Sequence, residues 1–196
     1  MTGYSSKLKR QVLLLVIFGH VNSIIDLEVI NKSVPMNIRT LQRDINELSE
    51  AGFLDVSFDR VGKCYQGEVY IPETFSGIPD EKRKYYQNMA RFVRIIFDME
   101  CLTYSEIDEA LFQLHYYKDM YEFWIEDDKY GPEPKCEDLK IDESLSADKA
   151  YYRMFPQLGK KDFEKDCEFL RDIGYPIEYD EELDVYYKNF PEELPA

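Results

Sequence analysis

The chain has 196 residues, 44% of them hydrophobic and 32% charged, a balance that excludes a disordered tail and suits one large domain or two small ones. The apolar run Val12 to Phe18 spans only seven residues, where a membrane helix needs roughly 18–20, so a buried helix and no membrane partner are expected. The net charge of −15 argues against a general affinity for phosphates, because neutralising them requires Lys and Arg.

That charge is unevenly spread. Residues 1–60 carry seven Lys/Arg and seven Asp/Glu, so the excess of acid lies entirely in residues 61–196. The four cysteines, Cys64, Cys101, Cys136 and Cys167, form no C-x-x-C pair, and only His20 and His115 accompany them. This gives neither a disulfide framework nor zinc-ligand spacing, so reduced thiols, a cytoplasmic location and no metal or other cofactor are expected.

In chain order, Lys7 to His20 repeats apolar residues at helical spacing and predicts a largely buried helix. Asp26 is placed to cap a short helix through Ile30, and Pro35 punctuates the chain. A third helix is predicted from Met36 to Ala51, with Ile38, Leu41, Ile45 and Leu48 on its inner face and Gly52 at its C-terminal cap. Leu54 to Phe58 alternates as a strand does, and a turn containing Gly62 leads to a second strand, Cys64 to Ile71. The order is helix, helix, helix, hairpin.

Pro72 to Asp80 reads as a linker, which divides the chain into domains 1–72 and 80–196. The second domain opens with a helix from Glu81 to Met99, followed by one capped by Ser105, in which Phe112, Tyr116, Tyr117, Tyr121, Phe123 and Trp124 surround most of the circumference. Such a row is expected in a core or a dimer interface. Asp127 to Leu145, acidic and holding Pro132 and Pro134, reads as a loop.

The tail repeats an earlier pattern. Lys160 to Tyr175 aligns on Ile38 to Phe53, pairing Leu41 with Phe163, Asp44 with Asp166, Ile45 with Cys167, Leu48 with Leu170, Ala51 with Ile173 and Gly52 with Gly174. A hairpin-like stretch follows each, at Asp55 to Tyr70 and Ile177 to Tyr187. The fold class predicted is mainly α with small β-hairpins, α+β, built from two copies of one module. The second carries an insertion, at about residues 112–150, between its second and last helices.

The third helix carries the chemistry. Asn37, Arg39, Thr40, Gln42 and Arg43 lie outside its inner face, and no acid interrupts Met36 to Arg43. Arginine bonds guanine bidentately, and Asn or Gln does the same for adenine, when a helix presents them to the major groove. Asp44 is expected to make a structural polar contact. Lys7 and Arg10 on the first helix, with Arg60 and Lys63 at the hairpin turn, are candidate phosphate contacts. In the second copy Asp162 and Glu164 replace Thr40 and Gln42, so that helix is expected to serve structure or dimerisation.

The stretch from Ser33 to Leu48, and Arg39-Thr40-Leu41-Gln42-Arg43-Asp44 most of all, resembles the recognition segment of DeoR-type winged helix-turn-helix regulators, especially those that open WYL-domain proteins. The resemblance covers residues 5–71, and Gly174 to Asp180 is similar to the strand that follows it in the same regulators. It implies two winged helix-turn-helix modules and transcription control by binding double-stranded DNA, usually as a homodimer, here through the C-terminal half. No WYL domain is evident, so no effector is implied.

A competing reading is an acidic protein-interaction module, or a DNA mimic, built from winged helices that no longer bind DNA. A third makes the aromatic helix the wall of a small-molecule pocket. No Gly-rich phosphate loop, G-x-S-x-G or H-E-x-x-H is present, so no enzyme is expected.

Overall fold

The computed structural model describes residues 4–20, 24–124 and 141–191. The architecture is α+β: seven α-helices and two small antiparallel sheets among the described residues. The elements are α1 (Ser6–His20), β1 (Ile24–Asp26), α2 (Leu27–Ser33), α3 (Ile38–Glu50), β2 (Leu54–Asp59), β3 (Cys64–Val69), α4 (Asp80–Phe97), α5 (Tyr104–Trp124), α6 (Ala147–Met154), α7 (Lys160–Asp172), β4 (Ile177–Asp180) and β5 (Val185–Lys188).

Two compact units divide the chain at Asp98/Met99, not at the Pro72–Asp80 segment. The helix expected to open a second domain, α4, instead belongs to the first unit. The reason is its buried stripe of Tyr86, Met89, Phe92, Val93 and Ile96, since α4 packs on α1. Phe75, inside the expected linker, stacks on Phe53 with ring centroids 6.1 Å apart. Glu168–Gly174 also fall in the first unit, where Phe169 stacks on Phe92 at 3.8 Å and Tyr4 meets both rings edge-on.

Within the first unit α1 is buried along Leu8, Val12, Leu15 and Val16, each nearly dry side chain contributing about 1.5–3 kcal/mol. β1, for which the sequence predicts no strand, pairs antiparallel with β3 and completes a three-stranded sheet of order β1-β3-β2. Three residues are too few to display an alternation. α2 runs on to Ser33, beyond the predicted end at Ile30, and Asp26 precedes it without a side-chain capping bond.

In the second unit, Leu102, Ile107, Val185 and Tyr187 form a core that Leu111, Ile141, Leu145 and Leu183 extend. α5 begins at Tyr104, and it is Glu106, reaching back to the Thr103 amide at 2.8 Å and hydroxyl at 2.9 Å, that closes its first turn, not Ser105. α6 has no counterpart among the predicted elements. It lies five residues before α7, so the long intervening segment falls between α5 and α6, not directly before the last helix. Most of the Asp127–Leu145 loop lies outside the described residues; its last part forms a single 3-10 turn, Glu143–Leu145.

The repeat noticed in the sequence has a structural counterpart. α3 and α7 each have 13 residues. Leu41, Asp44, Ile45 and Leu48 are buried on one, and Phe163, Asp166, Cys167 and Leu170 on the other. Gly52 and Gly174 follow them at φ 79° and 86°. Each hairpin turn also opens with an aspartate accepting the amide two residues on, Asp59 from Val61 at 2.8 Å and Asp180 from Glu182 at 3.0 Å. Each turn closes on a left-handed residue, Lys63 at φ 52° and Asp184 at φ 54°.

Candidate nucleic-acid interface

α3 starts where Asn37 caps it. Its side-chain oxygen accepts the Thr40 amide at 2.9 Å, and its backbone oxygen accepts that of Leu41 at 3.1 Å. Bidentate recognition of adenine needs both the oxygen and the nitrogen of a carboxamide. Asn37 is exposed, but its oxygen is turned to the helix start, which leaves one lone pair and the amide nitrogen for an outside partner.

Beyond the cap, Leu41, Ile45 and Leu48 anchor the inner face at 5% exposure or less. Arg39 and Gln42 are exposed, Thr40 is half-buried, and the Arg43 side chain is 60% exposed. Ile38 departs from the expectation. It was assigned to the inner face, yet it is 51% exposed, because the buried row begins one turn later at Leu41.

The two candidates on α1 are engaged internally. Arg10 donates through Nε and Nη2 to the buried Asp44, and its side chain is only 22% exposed. It is removed from the expected phosphate contacts, since it supplies the closest cation to the buried Asp44, which Arg43 approaches only to 4.0 Å. Asp44 raises the Arg10 pKa further above its ordinary value by accepting that hydrogen bond. Lys7 lies 2.5 Å from Glu47 of α3 and 5.8 Å from the ring of Tyr85.

Between these pairs sits Gln11, fully buried where the charged start of α1 gives way to its apolar run. It donates to Glu47 at 3.0 Å and to Asp44 at 3.4 Å, and accepts from the Tyr85 hydroxyl at 2.7 Å. Burial pushes the Glu47 carboxyl up, but the hydrogen bonds from Lys7 and Gln11 outweigh it and hold the group below its ordinary value. This network ties α1 and α4 to the inner side of α3 and was not read from the sequence. The available signal was a glutamine bordering the apolar run of α1.

At the β2–β3 turn Arg60 and Lys63 are exposed, with Val61 between them at 94%. The structure thus separates the nine candidate residues. Arg39, Gln42 and Arg43 project from the first half of α3, with Thr40 half-buried beside them; Arg60 and Lys63 stand at the turn. Lys7 and Arg10 are occupied within the fold, as is the side-chain oxygen of Asn37. On α5, Phe112, Tyr116 and Tyr117 are 52–69% exposed, which takes these three out of the chain's own core; the side chains of Phe123 and Trp124 lie outside the described residues.

Among the described residues no three His, Cys, Asp or Glu side chains are grouped to hold a metal ion, and no helix is long and apolar enough to cross a membrane. The geometry defines an α+β protein whose third helix buries one face and presents arginines and a glutamine on another. No family model matches the chain, and neither a curated protein nor a solved structure matches it.

Proposed function

We propose that the protein is a sequence-specific, double-stranded DNA-binding transcriptional regulator, with its first unit acting as a winged helix-turn-helix and α3 entering the major groove. The observation that carries this reading is the partition of α3. Leu41, Ile45 and Leu48 are buried, while Arg39, Gln42 and Arg43 project outward from a stretch with no carboxylate between Asn37 and Arg43. The first acid, Asp44, is turned inward onto Arg10, so it does not oppose phosphates. The β2–β3 turn would be the wing, its Arg60 and Lys63 meeting backbone or minor groove.

The exposed Phe112, Tyr116 and Tyr117 of α5 favour a homodimer through the C-terminal half, which would set two half-sites about one helical turn of DNA apart. The second copy would not read DNA, because Asp162 and Glu164 stand where α3 has Thr40 and Gln42. Asp162 accepts the Gly159 amide at 3.0 Å, which gives it a place in the helix start instead.

The test is a binding titration on a duplex selected with the full chain from random sequence. Each bidentate arginine–base pair is worth about 1–3 kcal/mol, so Arg39→Ala with Arg43→Ala should weaken binding by about two to four orders of magnitude with the fold intact. Unchanged affinity would sink the assignment. Lys160→Ala with Lys161→Ala should change little, and an equal loss there would mean that both copies engage DNA.

The charge of −15, all of it arising beyond residue 60, favours a second reading, an acidic interaction module or DNA mimic. Such a protein would bind no duplex and would instead compete with DNA for a basic partner.

A further inference from the structure

Resting on the reading of α3 as the groove helix, we propose that Ile38 reads the C5-methyl group of a thymine and so determines part of the sequence preference. Ile38 is 51% exposed on the first turn of α3, and it stabilises little there, because the buried row starts at Leu41. A β-branched side chain is also an indifferent choice for a solvated helix position. The matching position of the second copy carries Lys160, so the helix start itself imposes no isoleucine.

What surrounds Ile38 gives it a partner. Arg39, Gln42 and Arg43 are donors suited to base edges, and an apolar side chain among them has one complement in the major groove, the thymine methyl. Ile38 and Gln42 stand four residues apart on the same flank of the helix, about 5–6 Å between Cβ atoms. Base pairs are stacked about 3.4 Å apart, so the two side chains reach pairs one or two steps from each other. A glutamine bonding adenine beside an isoleucine on a methyl group favours an A and a T within that distance.

The experiment uses the full chain and the tightest duplex recovered from a random pool, with each thymine replaced in turn by deoxyuridine, which removes only the methyl. Wild-type binding should weaken about three- to tenfold at one position, and Ile38→Ala should bind the thymine and deoxyuridine duplexes alike. Ile38→Gln, selected afresh, should lose the preference for thymine at that position while keeping the others. Wild-type binding indifferent to every replacement, or undiminished sensitivity in Ile38→Ala, overturns the role of Ile38 and leaves α3 as the groove helix. Failure to recover any bound duplex overturns both.

Discussion

Asp44 and Asp166 occupy the same position in two helices of equal length, both almost completely buried, yet Asp44 accepts from the guanidinium of Arg10 and Asp166 from the phenol of Tyr151 at 2.7 Å. A charge buried against a cation is costly to leave without its partner, more so than a hydrogen bond to a neutral donor. Arg10→Met should therefore destabilise the protein by about 3–5 kcal/mol, and Asp44→Asn by a similar amount. Tyr151→Phe should cost about 1.5–3 kcal/mol. Urea unfolding of the three variants checks the order; Arg10→Met at wild-type stability would show that the pair holds nothing together.

Glu47 supplies a pH dependence with a definite sign. Its carboxyl is held below the ordinary glutamate value in the fold, so its contribution is present above the unfolded value and is lost as pH falls through the lower, folded one. Lys7→Met removes the closest cation, the carboxyl rises, and melting temperature should fall at neutral pH while depending less on acid. Thermal melts from about pH 7 down to pH 3 measure both, and parallel curves for the two proteins would refute the coupling.

Backbone positions should rank by what a methyl group would meet. At Gly67 an added Cβ would run into the Asp55 carbonyl oxygen across the hairpin, where the backbone must move. Gly67→Ala should cost about 1–3 kcal/mol and loosen the β2–β3 turn. At Gly52 an added Cβ would make ordinary contact with the Pro72 ring at 3.7 Å, and at Gly174 it would meet nothing within 4 Å; both backbones are left-handed, so alanine there should cost about 1 kcal/mol each. Denaturant midpoints would test the ranking, and Gly67→Ala as the mildest of the three would contradict it.

Salt dependence separates phosphate contacts from base contacts. If Lys63 at the turn neutralises one phosphate, Lys63→Ala should reduce the slope of log affinity against log salt by about 0.9 while preserving the selected sequence. Lys7→Ala should leave the slope nearly unchanged, since Lys7 is paired with Glu47. Equal slopes for wild type and Lys63→Ala would remove the turn from the interface.

The α+β pattern, the inner face of α3, the inward aspartate and the structural likeness of the two copies were legible in the amino-acid order, because helical and strand periodicities are local. Leu41, Ile45 and Leu48 lie three and four residues apart wherever the helix goes, and glycine is the residue best suited to follow a helix that ends in a left-handed turn. The order of residues did not reveal where along its axis α3 leaves the core, which is why Ile38 was placed inside and is found outside. Nor did it reveal that Arg10 would meet Asp44, thirty-four positions away, or that Asn37 would turn its oxygen to the helix start. α4 joined the first unit through apolar contacts with α1, overriding the prolines and glycine that mark a boundary. Periodicity selects which side of an element is dry. Which charged groups remain available to a ligand is settled by partners distant in sequence, and those are fixed only when the chain has packed.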